Sequence, residues 1–96
     1  MAAYVIYHQT EISDPEAYQR DYLGPARESI TKFGGRLLVG GDYEVVEGEW
    51  PGTRVVVHEF PDMETLKRWY DSDDFKPLIE IRQRVSKGNL IVAEGF

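Results

Sequence analysis

The chain of 96 residues contains no cysteine. That removes disulfides, thiolate metal sites, iron–sulfur clusters and cysteine nucleophiles together. Histidine is scarce as well, with only two residues, so a tight transition-metal site would need carboxylates to complete it, and no metal is expected. Positive charge is in deficit: 11 Lys and Arg stand against 17 Asp and Glu, for a net charge of −6 and an isoelectric point near 4.8. A nucleic-acid binder needs cationic surface to release counterions, so neither DNA nor RNA is an expected partner. Long apolar runs are missing too; none approaches the roughly 20 residues of a membrane helix. After Met1 there is no basic region, apolar stretch or small-residue cleavage site, so the expected location is cytoplasmic and away from the membrane. What remains is an ordinary globular composition, 42% hydrophobic and 29% charged, of a length that fits one domain spanning residues 1–96.

Ala3–Gln9 is β-branched and aromatic and predicts a first strand. Asp14 then offers a cap, Pro15 suits the first helical position, and Tyr18, Tyr22, Ala26, Ile30 and Phe33 recur at helical spacing. Pro25 lacks the N–H that the Asp21 carbonyl requires, which predicts a kink or break at Gly24-Pro25. Gly34-Gly35 ends this helix, and Arg36–Val39 opens a second strand that bends at Gly40-Gly41 and continues through Tyr43–Val46. Arg54–Phe60 is the third strand. A second helix starts at Pro61-Asp62 with Leu66, Trp69 and Tyr70 on one face, and restarts at Ser72–Asp74 with Phe75, Leu78 and Val85. Gly88 is expected to stop it before a last strand over Asn89–Ala93.

This order, β-α-β-β-α-β, predicts an α+β ferredoxin-like sandwich: a four-stranded antiparallel sheet with helices on one face. Such a sheet should alternate apolar and polar along each strand. Here Val55 and Val57 oppose Val56 and Phe60, and Val5 and Tyr7 oppose Tyr4 and Ile6. Two helices cannot cover both faces, so the bare one calls for an identical subunit and a dimeric α/β barrel.

Catalytic motifs fail on inspection. Gly35 and Gly40 have the opening spacing of a phosphate loop, but Gly41-Asp42 stands where Lys-Ser/Thr is required. His58-Glu59 opens like a zinc-protease motif, yet Asp62 replaces the second His and Pro61 bars the helix. Asp71–Asp74 begins like a calcium loop without its closing acid, and helix capping accounts for it.

Individual residues carry more. The first and third strands are expected to be central, adjacent and parallel, which would bring His8 and His58 together as a general base or ligand pair; the alternative is two solvated strand-end imidazoles. Glu59 interrupts an apolar strand and needs a cation, with Arg82 the expected partner and Arg54 an alternative. Such a pair would either fix helix against sheet or bind a ligand. Tyr18, Tyr22, Trp69 and Tyr70 face the same space between helices and sheet, as core or as pocket lining. Trp50, in an acidic loop, suggests a contact with a partner subunit.

Gly34-Gly35-Arg36, Glu47-Gly48 with Trp50, Arg54–Val57 with Glu59-Phe60-Pro61, Trp69-Tyr70 with Ser72, Arg82-Gln83, and Ile91-Val92 with Glu94-Gly95 resemble the family numbered thirteen-thirty among the domains of unknown function. That family lies in the dimeric α/β-barrel superfamily, and the resemblance runs over nearly the whole chain. It implies a homodimer joined through sheet faces. The superfamily includes cofactor-free monooxygenases, isomerases, haem proteins and stress-response modules. One position departs: Val39 stands where the family carries a basic residue, which argues against an anion site at that bend.

The expected function is a dimeric module that binds a small, largely apolar molecule between sheet and helices, with Tyr18, Tyr22, Trp69 and Arg82 as the binding residues and no cofactor. A cofactor-free monooxygenase or isomerase, with His8 or Glu59 as base, is the alternative. A structural or interaction dimer without a ligand is the third reading.

Overall fold

The computed structural model describes Met1–Phe96. Strand β1 spans Ala3–Ile12, helix α1 Pro15–Ala17, a π-helical segment Tyr18–Leu23 and helix α2 Gly24–Lys32. Strands β2 (Arg36–Gly41) and β3 (Arg54–Phe60) follow, then helices α3 (Met63–Tyr70) and α4 (Lys76–Val85), and strand β4 (Ser86–Glu94). The sheet order is β2-β3-β1-β4 with every neighbouring pair antiparallel, and the helices pack on one face: the ferredoxin-like sandwich. No helix is long and apolar enough to cross a membrane.

Local chemistry starts α1 and α3 where the sequence indicates. The Asp14 carboxylate accepts from the Ala17 N–H at 3.1 Å, with Pro15 just inside the turn. Asp62 does the same for Thr65 at 2.7 Å. The break expected at Gly24-Pro25 takes the form of a widened, π-helical winding ending at Leu23, just before the position whose N–H proline removes. In that winding Tyr18 and Tyr22 stay on one side, their ring centroids 5.1 Å apart. Gly34 closes α2 at φ 81°, and Gly35 lies so close to the core that a Cβ would stand 2.7 Å from Ile30 and 2.9 Å from the Phe60 ring. Between helices and sheet lies a core led by Trp69, Phe60, Phe75 and Leu66.

Four expectations are corrected. β1 and β3 run antiparallel, so Val5 pairs with His58 while His8 pairs with Val55, and the two histidines lie three rungs apart on opposite faces. Tyr43–Val46 is not a strand: β2 ends at Gly41 (φ 126°), which pairs with Val55 one residue into β3, so the partner strand does not extend alongside residues 43–46. The irregularity in β2 falls between Leu37 and Val39 and not at Gly40-Gly41. Gly88 does not stop a helix; β4 begins at Ser86, and Gly88 sits inside it, where a Cβ would meet the His8 carbonyl oxygen at 2.6 Å.

Register assigns the faces. Ala3, Val5, Tyr7 and Gln9 of β1 lie under the helices and are buried, with Phe60, His58, Val56 and Arg54 opposite them on β3. The other face carries Tyr4, Ile6 and His8 beside Glu59, Val57 and Val55, flanked by Val39 and Ile91 at 48% and 57% exposure.

Candidate binding cavity

A cavity of about 100 Å³ lies between the covered face of the sheet and the π segment, α2, α3 and α4. Tyr7, Val5 and Val56 form its floor, Tyr18, Tyr22 and Ala26 its roof, with Trp69 and Leu90 on its sides. Its polar and charged lining is Arg27, Arg54, His58 and Arg82, together with the tyrosine hydroxyls; no carboxylate is among the lining residues.

Arg82 reaches in from α4 and is 6% exposed. Its Nη1 donates to the Tyr22 hydroxyl at 3.4 Å, and its guanidinium carbon stands 5.0 Å from the Tyr7 ring centroid and 5.9 Å from that of Tyr22. These cation–π contacts offset part of the cost of burying the charge. Ser86, which donates to the Arg82 carbonyl at 2.7 Å, ties the end of α4 to the start of β4 and lies 3.4 Å from the Tyr7 hydroxyl. Arg54 enters from the start of β3, opposite Gln9; its Nε and the Gln9 amide nitrogen are both buried without a partner. The Trp69 indole N–H is already engaged, donating to Ser29 Oγ at 3.0 Å, so Trp69 offers the cavity an apolar wall. Arg82, Tyr7 and Leu90 also border a wider open recess beside Ser86, Lys87 and Gly88.

Electrostatics follow from burial. The Tyr18 hydroxyl is pushed up to about 12, first by desolvation and then by neighbouring Tyr22 and Tyr7, with the Arg54 and Arg82 guanidiniums opposing. Tyr22 is raised by burial, against the pull of Arg82. Both phenols therefore stay protonated, and both can donate. His58 is lowered by burial and by Arg27, so its imidazole is neutral in the folded protein at physiological pH.

The remaining candidates lie elsewhere. Glu59 projects onto the bare face, where Arg36 Nε donates to it at 2.8 Å and the Tyr4 hydroxyl at 3.2 Å. The expected Glu59–Arg82 pair does not form, because the two side chains are on opposite sides of the sheet. His8 is on the bare face as well, with Trp50 tilted against it at 4.4 Å and Tyr43 edge-on to Trp50 at 6.2 Å. Neither His8 nor Glu59 reaches the cavity, so neither is placed to act as a base there. No group of three or more His, Asp or Glu is arranged to hold a metal ion.

Four residues singled out from sequence, Tyr18, Tyr22, Trp69 and Arg82, thus come together in one cavity. Sequence reasoning missed Arg27 and Gln9 and assigned Arg54 only to Glu59. The signal for Arg54 was present: in a period of two it shares phase with Val56, His58 and Phe60.

Residues 2–96 match the domain of unknown function DUF1330. The chain belongs to that family. No functionally curated protein matches the sequence. Among solved structures, this DUF1330 chain is similar to a protein of unknown function from Rhodopseudomonas palustris (16% identity, 99% of this chain and 82% of that one, TM-score 0.69). It is similar also to an ethyl tert-butyl ether (EthD) family protein from Bacillus halodurans (15% identity, 100% of both chains, TM-score 0.68). A third is SnoaB, a cofactor-independent oxygenase from Streptomyces nogalater (12% identity, 99% and 93%, TM-score 0.63). At these identities the likeness establishes the fold, and the fold alone does not decide function.

Proposed function

We propose that this DUF1330 protein is a homodimeric module that binds one small, largely apolar molecule in the cavity between sheet and helices. The observation that carries this reading is the cavity itself: a pocket within an otherwise close-packed core, with apolar and aromatic walls and a few convergent polar groups. Its size sets the ligand. A cavity of about 150 Å³ holds benzene, so about 100 Å³ sets one ring or a short chain as the upper limit of the enclosed body.

The dimer half of the reading rests on the bare face. Ile6, Val55, Val57, Val39 and Ile91 form an apolar surface that no element of this chain covers. The molecule is a slab of 32 × 31 × 16 Å, so its broad face exceeds the ~800 Å² per partner of a standard interface. A second copy is the occupant, because both copies would present the same apolar stripe to each other.

A cofactor-free oxygenase or isomerase is the second reading, favoured by the likeness to SnoaB. In this chain the base for such chemistry would be His58, the one neutral imidazole in the cavity.

Ligand-observed NMR with a panel of single-ring compounds tests the binding reading. Wild-type protein is expected to show saturable contacts that Val56→Phe abolishes by filling the cavity floor while the dimer persists. If no ring compound binds, or if Val56→Phe binds as wild type does, the cavity is not a ligand site.

A further inference from the structure

The charge of the cavity runs against the charge of the chain. Acids outnumber bases 17 to 11, yet Arg54 and Arg82 line one cavity that contains no carboxylate, with a third arginine, Arg27, at its exposed edge. The ion pairs of the protein, Arg20–Asp21, Lys32–Asp74, Arg36–Glu59 and Lys87–Glu11, involve none of them. A guanidinium cannot escape by losing its proton, and each carries five N–H donors. Arg82, almost wholly buried, has one side-chain hydrogen bond, to a phenol. The Arg54 Nε and the Gln9 amide nitrogen have none.

Donors therefore exceed acceptors in this space, and cations have no counter-charge. Arg54 and Arg82 both line this one cavity, the first from β3 and the second from α4. Tyr18 and Tyr22, kept protonated by burial, add two more O–H groups. A buried cation without a partner is costly, so the arrangement is complementary to a molecule that brings the missing anion with it. The planar fork of arginine matches a carboxylate, which accepts two parallel N–H bonds.

We infer that the cavity selects a small monocarboxylate with a single-ring or short apolar body, its carboxylate held between Arg54 and Arg82 and its body against Tyr7, Tyr22 and Trp69. This rests on the reading of the cavity as a ligand site and adds the charge of the ligand. His58, neutral beside Arg27, leaves the cationic excess to the arginines.

Benzoate and benzamide, equal in shape and different in charge, separate the two claims in titration calorimetry of the wild-type dimer at neutral pH and low salt. Benzoate is expected to bind at least about tenfold more tightly than benzamide, the scale of one charge-assisted hydrogen bond. Arg54→Met is expected to weaken benzoate binding more than benzamide binding and so narrow that preference, and Val56→Phe to abolish both. Equal affinity of the two probes overturns the carboxylate inference and leaves the cavity reading standing. Failure of both probes to bind overturns both readings. Benzoate binding that survives Val56→Phe puts the anion at a surface arginine and overturns the inference. The wild-type comparison needs no variant, so a poorly folding Arg54→Met does not rescue it; Arg54→Lys, keeping the charge and losing the fork, is then the second variant, expected to retain part of the preference.

Discussion

The two faces of the sheet are built from the same strands, both are rich in valine and tyrosine, and each carries charged groups, yet they treat charge in opposite ways. On the bare face the Glu59 carboxylate is matched within the sheet by Arg36 and Tyr4, and the polar atom left without a partner is the neighbouring His8 Nε2. On the covered face the apolar groups are already packed under helices, and what lacks a partner is charge, at Arg54 and Arg82. A face short of apolar contact fits another protein surface; a cavity short of an anion fits a small molecule. Neighbouring positions on one strand, Val56 and Val57, thus lie on faces with different deficits.

That contrast is broken most directly by substituting the two valines separately. Val57→Asp puts a charge into the centre of the bare face and is expected to raise the dimer dissociation constant by ~10³-fold or more, since burying an unpaired charge costs several kcal/mol. Analytical ultracentrifugation would show monomer at micromolar concentration. Val56→Phe is expected to leave the sedimentation of the dimer unchanged. A dimer that survives Val57→Asp would place its interface elsewhere.

Titration sharpens the same contrast on the covered face. Tyr18 has a folded value of about 12, above the ordinary tyrosine value of 10.0, so its contribution to stability is present below pH 10 and is lost as pH rises towards 12. His58 is shifted the other way. Its folded value lies below the ordinary value near 6.5, so stability is full above that pH and declines as acid protonates the buried imidazole. Thermal melts across pH are expected to show an alkaline decline that Tyr18→Phe removes and an acid decline, beginning below about pH 6.5, that His58→Gln reduces. Melting profiles unchanged by these substitutions would mean that neither group is held in the protonation state its burial requires.

The smallest effect belongs to Glu59→Gln. Arg36 is largely exposed in this pair, and a pair of that kind contributes on the order of 1 kcal/mol or less. The expected shift in melting temperature is a few degrees at most, with cavity binding of benzoate unchanged in calorimetry. Loss of benzoate binding in Glu59→Gln would couple the two faces and undo their separation.

Much of this was legible before any coordinates. Periodicity and breakers around Asp14-Pro15, Gly34-Gly35 and Pro61-Asp62 mark where helices begin and end, because capping and proline sterics act over a few residues. The stripe Tyr18, Tyr22, Ala26, Ile30 survives the change from α to π winding, since side chains four apart share a side in either. The apolar character of both sheet faces is likewise a property of alternating residues in Ala3–Gln9 and Arg54–Phe60. By itself, then, the sequence determined the element order, the helix caps and the double-sided sheet.

Only tertiary structure decided which charges meet. Alternation says that Arg54, Val56 and His58 share a face, but which face, and opposite what, depends on strand direction and register, which are set by long-range pairing. The antiparallel pairing of β1 with β3 separates His8 from His58, and the pairing of Arg36 with Glu59 across β2 and β3 supplies the partner that sequence reasoning sought in Arg82. Arg82 is left instead between the helices and the covered face of the sheet with Tyr22 and Tyr7, and Arg54 joins it from a strand 28 positions earlier in the chain. Side-chain identity determined what each arginine could bind; the fold determined that two of them share a cavity with no carboxylate, because a counter-charge is a matter of distance in three dimensions.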